Sequence, residues 1–299
     1  MLQTIHKILF RPFLAPALAP FLAPAFALAI ALAVGAASCA SSEDSKQVTY
    51  SLTAKQNYDR GLEELKKENY VESAHYFTYV KQKFPFSKYA GLAELALADT
   101  EFARGNYQEA IDSYKSFARL HPTHEKVEDG YTAFRIAECY VKEMPDDWFI
   151  LPPAYEKDQS SVRDALREID SARDKFPNSP YLKQATAYRR EVLRRLIEHE
   201  VYVARFYLER GHPKAAILRI EGALRRYPDS GQEGELMIAL GETNLELGHP
   251  ARAKQVFERV VSDFGDDLQK KRAELFLEFI KRRFGENPVD KPVDKPANG

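Results

Sequence analysis

Apolar residues recur along this chain at helical spacing. From Thr53 to Phe284 they return at intervals of three and four, and no stretch of useful length alternates as a strand would. The stretch 200–228 shows the pattern in full. Val203, Phe206 and Tyr207 fall on one helix face, and Gly211 follows as a residue that reaches the left-handed conformation without steric cost. Pro213 stands where a second helix begins and needs no N–H. Ala216, Ile217, Ile220, Ala223 and Leu224 form that helix's apolar face, and Pro228 stops it. Helix, turn, helix, stop is the expected local structure. Such a hairpin has more apolar face than it buries alone, so it needs neighbours of its own kind.

The neighbours are present as internal repeats. Ser73, Ala110, Ala165, Ala216 and Ala253 are each followed twelve residues later by Pro85, Pro122, Pro177, Pro228 and Gly265. Four of these small residues are preceded, twelve positions earlier, by Gly61, Ala98, Ala204 and Gly241. Small side chains at both places let two helix backbones approach. A large residue follows each second small one by four: Phe77, Tyr114, Ile169, Ile220 and Phe257. These are expected to fill the space between units. Asn69, Asn106, His212 and His249 mark the start of a second helix. The pattern resembles the tetratricopeptide repeat, and the expected fold is all-α: a solenoid of five such units closed by a C-terminal capping helix.

Two units depart from the period. The stops are spaced 37, 55, 51 and 37 residues apart. In the third unit Ala137 and Tyr140 mark the first helix, but its partner starts near Ser160. Residues 144–158 intervene, with three prolines and the apolar run Trp148, Phe149, Ile150, and are expected to fold over the superhelix as a cap. In the fourth unit no breaker occurs from Pro180 to Arg210, a helix of roughly 46 Å that would join the two halves, 53–178 and 179–284. Its run Arg189, Arg190, Arg194, Arg195 reads as a solvated face. Leu268–Phe284 forms the capping helix. Residues 285–299 repeat Pro-Val-Asp-Lys and are expected to be a disordered tail.

The N-terminus belongs to targeting. Lys7 and Arg11 precede an apolar run, Phe13 to Val34, broken by Pro16, Pro20 and Pro24 and ending in Gly35-Ala36-Ala37-Ser38-Cys39. This resembles a bacterial lipoprotein signal. The resemblance implies that 1–38 is removed, that Cys39 is lipidated, that 39–52 is a polar tether, and, with Ala40 following the cysteine, that the protein is sorted to the outer membrane. Beyond residue 38 the chain carries 43 − 2 = 41 basic and 44 acidic residues, a net of −3, which disfavours nucleic acid as a partner. Cys139 lies in a helical pattern and reads as a buried small hydrophobe.

Chemistry is sparse and binding is the expected activity. His121-Pro-Thr-His124 straddles a helix stop, so its imidazoles do not share a face, and neither metal nor cofactor is expected. Mapping the groove positions of a tetratricopeptide array gives Tyr58, Leu62 and Leu65, then Leu92, Leu95 and Asp99, then Tyr131, Phe134 and Glu138. That mixture suits an extended peptide with aromatic side chains, and about half of these residues are expected to pack on neighbouring helices instead.

One family resembles the chain from Cys39 to about Phe284. Its marks are Phe84-Pro85-Phe86-Ser87 with Tyr89, Arg119 to His124, Phe176-Pro177-Asn178-Ser179 with Tyr181, and Glu200 to Gly222. Together with five repeats, an insertion in the third and a long helix in the fourth, these make the chain similar to the BamD family of lipoproteins. The resemblance implies a non-catalytic member of the outer-membrane β-barrel assembly complex on the periplasmic face. Its C-terminal repeats would dock on a POTRA domain of BamA, beside other lipoproteins of the complex. Its N-terminal repeats would receive the C-terminal β-signal of unfolded outer-membrane proteins. Arg219 matches the arginine linked to BamA contact, with Glu221, Arg205 and Arg210 completing the expected docking set, and Arg219→Glu is expected to weaken docking while leaving the fold intact. Two other readings stand beside it: a tetratricopeptide lipoprotein scaffold for pilus or cell-envelope assembly, and a subunit whose partner holds an active site.

Overall fold

The computed structural model describes residues 48–145, 152–263 and 267–291. Signal, lipidation and most of the tether (1–47) lie outside the described residues, as do Trp148, Phe149, Ile150 and Gly265. From Val48 onward the chain is one unit of twelve α-helices among the described residues. Helix α1 (Ala54–Lys66) pairs with α2 (Tyr70–Lys83), and α3 (Lys88–Arg104) with α4 (Tyr107–Leu120). After the short α5 (Glu125–Glu128), α6 (Tyr131–Lys142) pairs with α7 (Ser160–Lys175). The long α8 (Leu182–Glu209) pairs with α9 (Pro213–Arg226), α10 (Glu233–Glu246) with α11 (Pro250–Asp263), and α12 (Asp267–Phe284) closes the stack. Five helical hairpins and a terminal helix make a tetratricopeptide solenoid.

The repeated small and large residues do the packing expected of them. Ser73, Ala110, Ala165, Ala216 and Ala253 are all 0% exposed, and so are Phe77, Tyr114, Ile169, Ile220 and Phe257. Contact at the crossings is close. A methyl group on Gly61 would lie 2.6 Å from the Phe77 ring, and one on Gly241 only 2.4 Å from the Phe257 ring. In the first hairpin the Ser73 hydroxyl also donates to the Gly61 carbonyl at 2.9 Å.

The inter-unit turns repeat as well. Phe84, His121, Phe176 and Tyr227 each end a helix with φ between −130° and −123° and ψ between 50° and 62°. Each precedes a proline whose Cδ excludes the helical conformation from the residue before it. Two residues after each proline a side chain accepts the N–H of the residue two further on: Ser87 from Tyr89 (3.2 Å), His124 from Lys126 (3.1 Å), Ser179 from Tyr181 (3.2 Å) and Ser230 from Gln232 (3.1 Å). His124 is therefore a capping residue, while His121 Nε2 sits 2.6 Å from the Glu94 carboxylate. The two imidazoles have separate structural tasks.

The insertion and the long helix are complementary. Arg195 Nη1 donates to the Pro145 carbonyl at 2.7 Å, and His199 Nδ1 lies 2.6 Å from the Tyr155 carbonyl. Tyr155 packs its ring on Tyr202, at 5.4 Å between centroids. Met144 and Ala154 are buried. A 3-10 turn at Ala154–Glu156 follows the two prolines, where the sequence suggested only irregular loop. The described parts of the insertion thus lie along α8, which changes the reading of its arginines. Arg189 bonds Asp170 of α7 at 2.7 Å, Arg194 bonds Glu191 and Glu198, and Arg195 holds the insertion. Arg190 is exposed, and Arg194, whose side chain is 41% exposed, pairs only with acids of α8 itself, so these two lie on a solvated face.

The chain past α12 also differs from expectation. Residues 285–291, read as the start of a disordered tail, turn back over the α10–α11 turn, where Asp290 accepts the Ala251 N–H at 2.8 Å. The first-turn amides of α11 lack helical partners and take a carboxylate readily, a reason that composition does not disclose.

Candidate partner-binding surfaces

The groove residues divide into three groups. Leu95 and Phe134 are 7% and 5% exposed and belong to the core, a correction to their place in the groove. Phe134 is stacked between Tyr181 (5.2 Å) and Tyr188 (6.1 Å), so the stacking joins the third and fourth units. Tyr58, Leu62 and Leu92 are half-buried and keep one face accessible. Tyr58 packs its other face on Phe77 and Tyr89, both at 5.6 Å.

Asp99 and Tyr131 form the third group, in a network the sequence did not reveal. One Asp99 oxygen accepts from the hydroxyls of Tyr114 and Tyr131, both at 2.6 Å. Arg135 Nε donates to the Tyr114 oxygen at 3.1 Å, and its Nη1 to Glu138 at 2.7 Å. Tyr188 donates to the other Glu138 oxygen at 2.7 Å. The guanidinium lies 3.6 Å above the Phe102 ring. Burial, and then the Asp99 charge, push the Tyr114 and Tyr131 phenols well above the ordinary tyrosine range. Burial and Glu138 push Tyr188 up to about 12. All three hydroxyls are fixed donors at neutral pH. Spacing along the sequence places Asp99, Tyr131 and Glu138 in the groove and makes Tyr114 a space filler alone; it does not single out Arg135, in a helix that also carries Glu138 and Lys142.

The docking set on α8 and α9 divides too. Glu200 is 3% exposed, and α9 supplies two cations to it. Arg226 Nη1 donates to one oxygen at 2.9 Å, and Arg219 Nε lies against the other as an ion pair without hydrogen-bond geometry. Arg219 therefore ties the α8–α9 hairpin together. A glutamate there would face a buried carboxylate, so Arg219→Glu is expected to weaken the hairpin as well as any docking surface. Glu221 faces Arg225 one turn away at 3.9 Å. Arg205 and Arg210 are exposed near the end of α8. Arg210 lies 4.5 Å over the ring of Phe206, itself 42% exposed. This cationic and aromatic patch is the accessible part of the set.

Cys139 is fully buried, and burial pushes its thiol up to about 12. It is a core residue with no nucleophilic character at neutral pH.

Stacked helical hairpins with two accessible side-chain surfaces define a class, the tetratricopeptide solenoids, whose members present residues to other chains. Within that class, the chain belongs to the YfiO family of outer membrane lipoproteins, whose family model matches residues 51–260. It is similar to the outer membrane protein assembly factor BamD of Neisseria meningitidis serogroup A, 25% identical over 213 residues that cover 69% of this chain and 78% of the relative. It is similar also to the BamD of Rickettsia prowazekii, 27% identical over 217 residues covering 73% and 82% of the two chains. Among solved structures it is similar to the TPR2AB domain of yeast Sti1, at 13% identity, 77% and 83% coverage and a TM-score of 0.42.

Proposed function

We propose that this protein is a non-catalytic scaffold for assembling β-barrel proteins into the outer membrane, anchored on the periplasmic face through a lipid on Cys39. The observation that carries the reading is the family match across the solenoid, 51–260, to outer membrane lipoproteins. The relatives' designation as outer membrane protein assembly factors supports the assembly role. The N-terminal repeats receive the extended β-signal of an unfolded client along Tyr58, Leu62 and Leu92, whose accessible apolar faces suit aromatic side chains. Asp99 and Tyr131, already bonded to each other, supply a rigid wall. The C-terminal repeats dock on a POTRA domain of BamA through Arg205, Phe206 and Arg210, with Glu221 at the margin and Arg219 holding the hairpin in shape.

The client site is tested by placing a photo-crosslinking residue at Tyr58 or Leu92 and adding a labelled β-signal peptide. Adducts at both positions, and none from the exposed outer position Leu218, support the groove. Adducts only at Leu218 would remove it.

A further inference from the structure

The solenoid ends in a feature that scaffolding does not use. After α12 the chain reverses, and residues 286–291 cross the start of α11. One oxygen of Asp290 accepts the N–H groups of Ala251 (2.8 Å) and Arg252 (3.3 Å), and its other oxygen lies 3.5 Å from the Arg252 guanidinium. Lys291 donates its N–H to the Gly248 carbonyl at 3.0 Å. The Lys291 stem then lies against Gly248, leaving no room for a methyl group there: one would sit 2.8 Å from Lys291 Cδ. Gly248 also holds φ +74°, so a glycine is required twice over. A carboxylate, a backbone N–H and an aliphatic stem thus meet a helix start, a carbonyl and a glycine surface. This is a built acceptor.

The docked residues recur in the sequence. Pro288-Val-Asp-Lys291 is followed without a gap by the same four residues, Pro292-Val-Asp-Lys295, and then by Pro296. Every group that touches the acceptor at Asp290 and Lys291 has a duplicate at Asp294 and Lys295, which lie outside the described residues. Both copies are preceded by an X–Pro bond that keeps the approach extended, so neither needs much ordering to dock. Contacts outside the motif are exposed: Lys254 donates to the Glu286 carbonyl at 2.9 Å, and Lys281 pairs with the Glu286 side chain.

We propose that the α10–α11 turn and first turn of α11 form a docking site for an extended Pro-Val-Asp-Lys-Pro segment, and that the two tandem copies of this chain's tail compete for it. The tail is then a strap with two registers. Asp290 follows Phe284 by six residues and Asp294 by ten. Loop closure at those lengths favours the first register only about twofold.

The amides of Ala251 and Arg252 have no partner within the helix, so their hydrogen exchange in the full chain reports the strap alone. Compared with wild type, Asp290→Ala, which removes the acceptor, is expected to lower their protection about threefold, and Asp290→Ala/Asp294→Ala to abolish it. Core amides of α10 should keep their protection in every variant. Asp290→Ala behaving like the double variant would exclude the second register. Amides unprotected in wild type would exclude the docking site itself.

Discussion

Arg219 and Arg210 lie nine residues apart in sequence yet have different jobs. Arg219 neutralises a buried carboxylate, whereas Arg210 covers an exposed ring. Replacing Arg219 by glutamate is expected to cost about 2–3 kcal/mol in urea unfolding. That is at or below the low end for breaking a buried pair, because Arg226 remains and Arg219 is itself partly exposed. Arg210→Ala should stay within about 0.5 kcal/mol of wild type. If the two variants unfold at the same urea concentration, Glu200 does not depend on Arg219. Cys139 is expected not to react with a thiol reagent at pH 8 until denaturant is added; rapid labelling of the native protein at that position would contradict its burial. At this scale the sequence was least legible. Arg219 was visible as an arginine, but its partner stands on another helix, and nothing in local spacing says which of many acids comes within reach. Asp99 was taken for a groove acid because the two hydroxyls that occupy it come from α4 and α6.

The helical hairpin was the most legible element. A small residue at each crossing, a large one a turn later and a proline or glycine after it are all local marks of a tertiary contact, and the ten buried residues follow them. The crossings also leave no slack. Gly241→Ala is expected to destabilise by about 1–3 kcal/mol through collision with Phe257. Gly241→Ala with Phe257→Leu should cost less than the two single changes added together, and strict additivity would mean that the ring is not what excludes the methyl. The insertion was less legible, because its partner is a face of α8: Arg195 reads as solvated and the sequence does not single out His199, yet they hold the Pro145 and Tyr155 carbonyls. The start of the tail, 285–291, was misread for a related reason. Composition reports few apolar side chains, and this segment is held by a carboxylate on amides.

Across the whole molecule, several carboxylates tie stability to pH with opposite signs. Burial pushes the Glu94 carboxyl up, but hydrogen bonds from His121 and Lys81 outweigh it and hold the group below the usual range. Glu191 is likewise held low by Arg194, against burial and with help from Arg195. Such groups add stability that is fully present above the unfolded carboxylate value, about pH 4.5, and is lost as pH falls through the folded value. Glu242 is the reverse. Burial raises it, against the nearby Arg272 and Arg205, so its ionisation costs stability above that pH. The urea midpoint is expected to fall between pH 6 and pH 3.5, with a shallower fall in Glu94→Gln and a higher plateau near neutrality in Glu242→Gln. A midpoint that does not change with acid would mean that these pairs contribute nothing. What the solenoid holds is tested most directly by affinity isolation of the full-length tagged protein from detergent-solubilised membranes, beside its Phe206→Ser/Arg210→Ala variant. Wild type is expected to bring down a POTRA-bearing β-barrel assembly protein in stoichiometric amount, and the variant, equally abundant and equally stable, to lose it. Isolation of pilus or cell-wall proteins instead, or equal recovery of the barrel protein by both, would contradict this expectation.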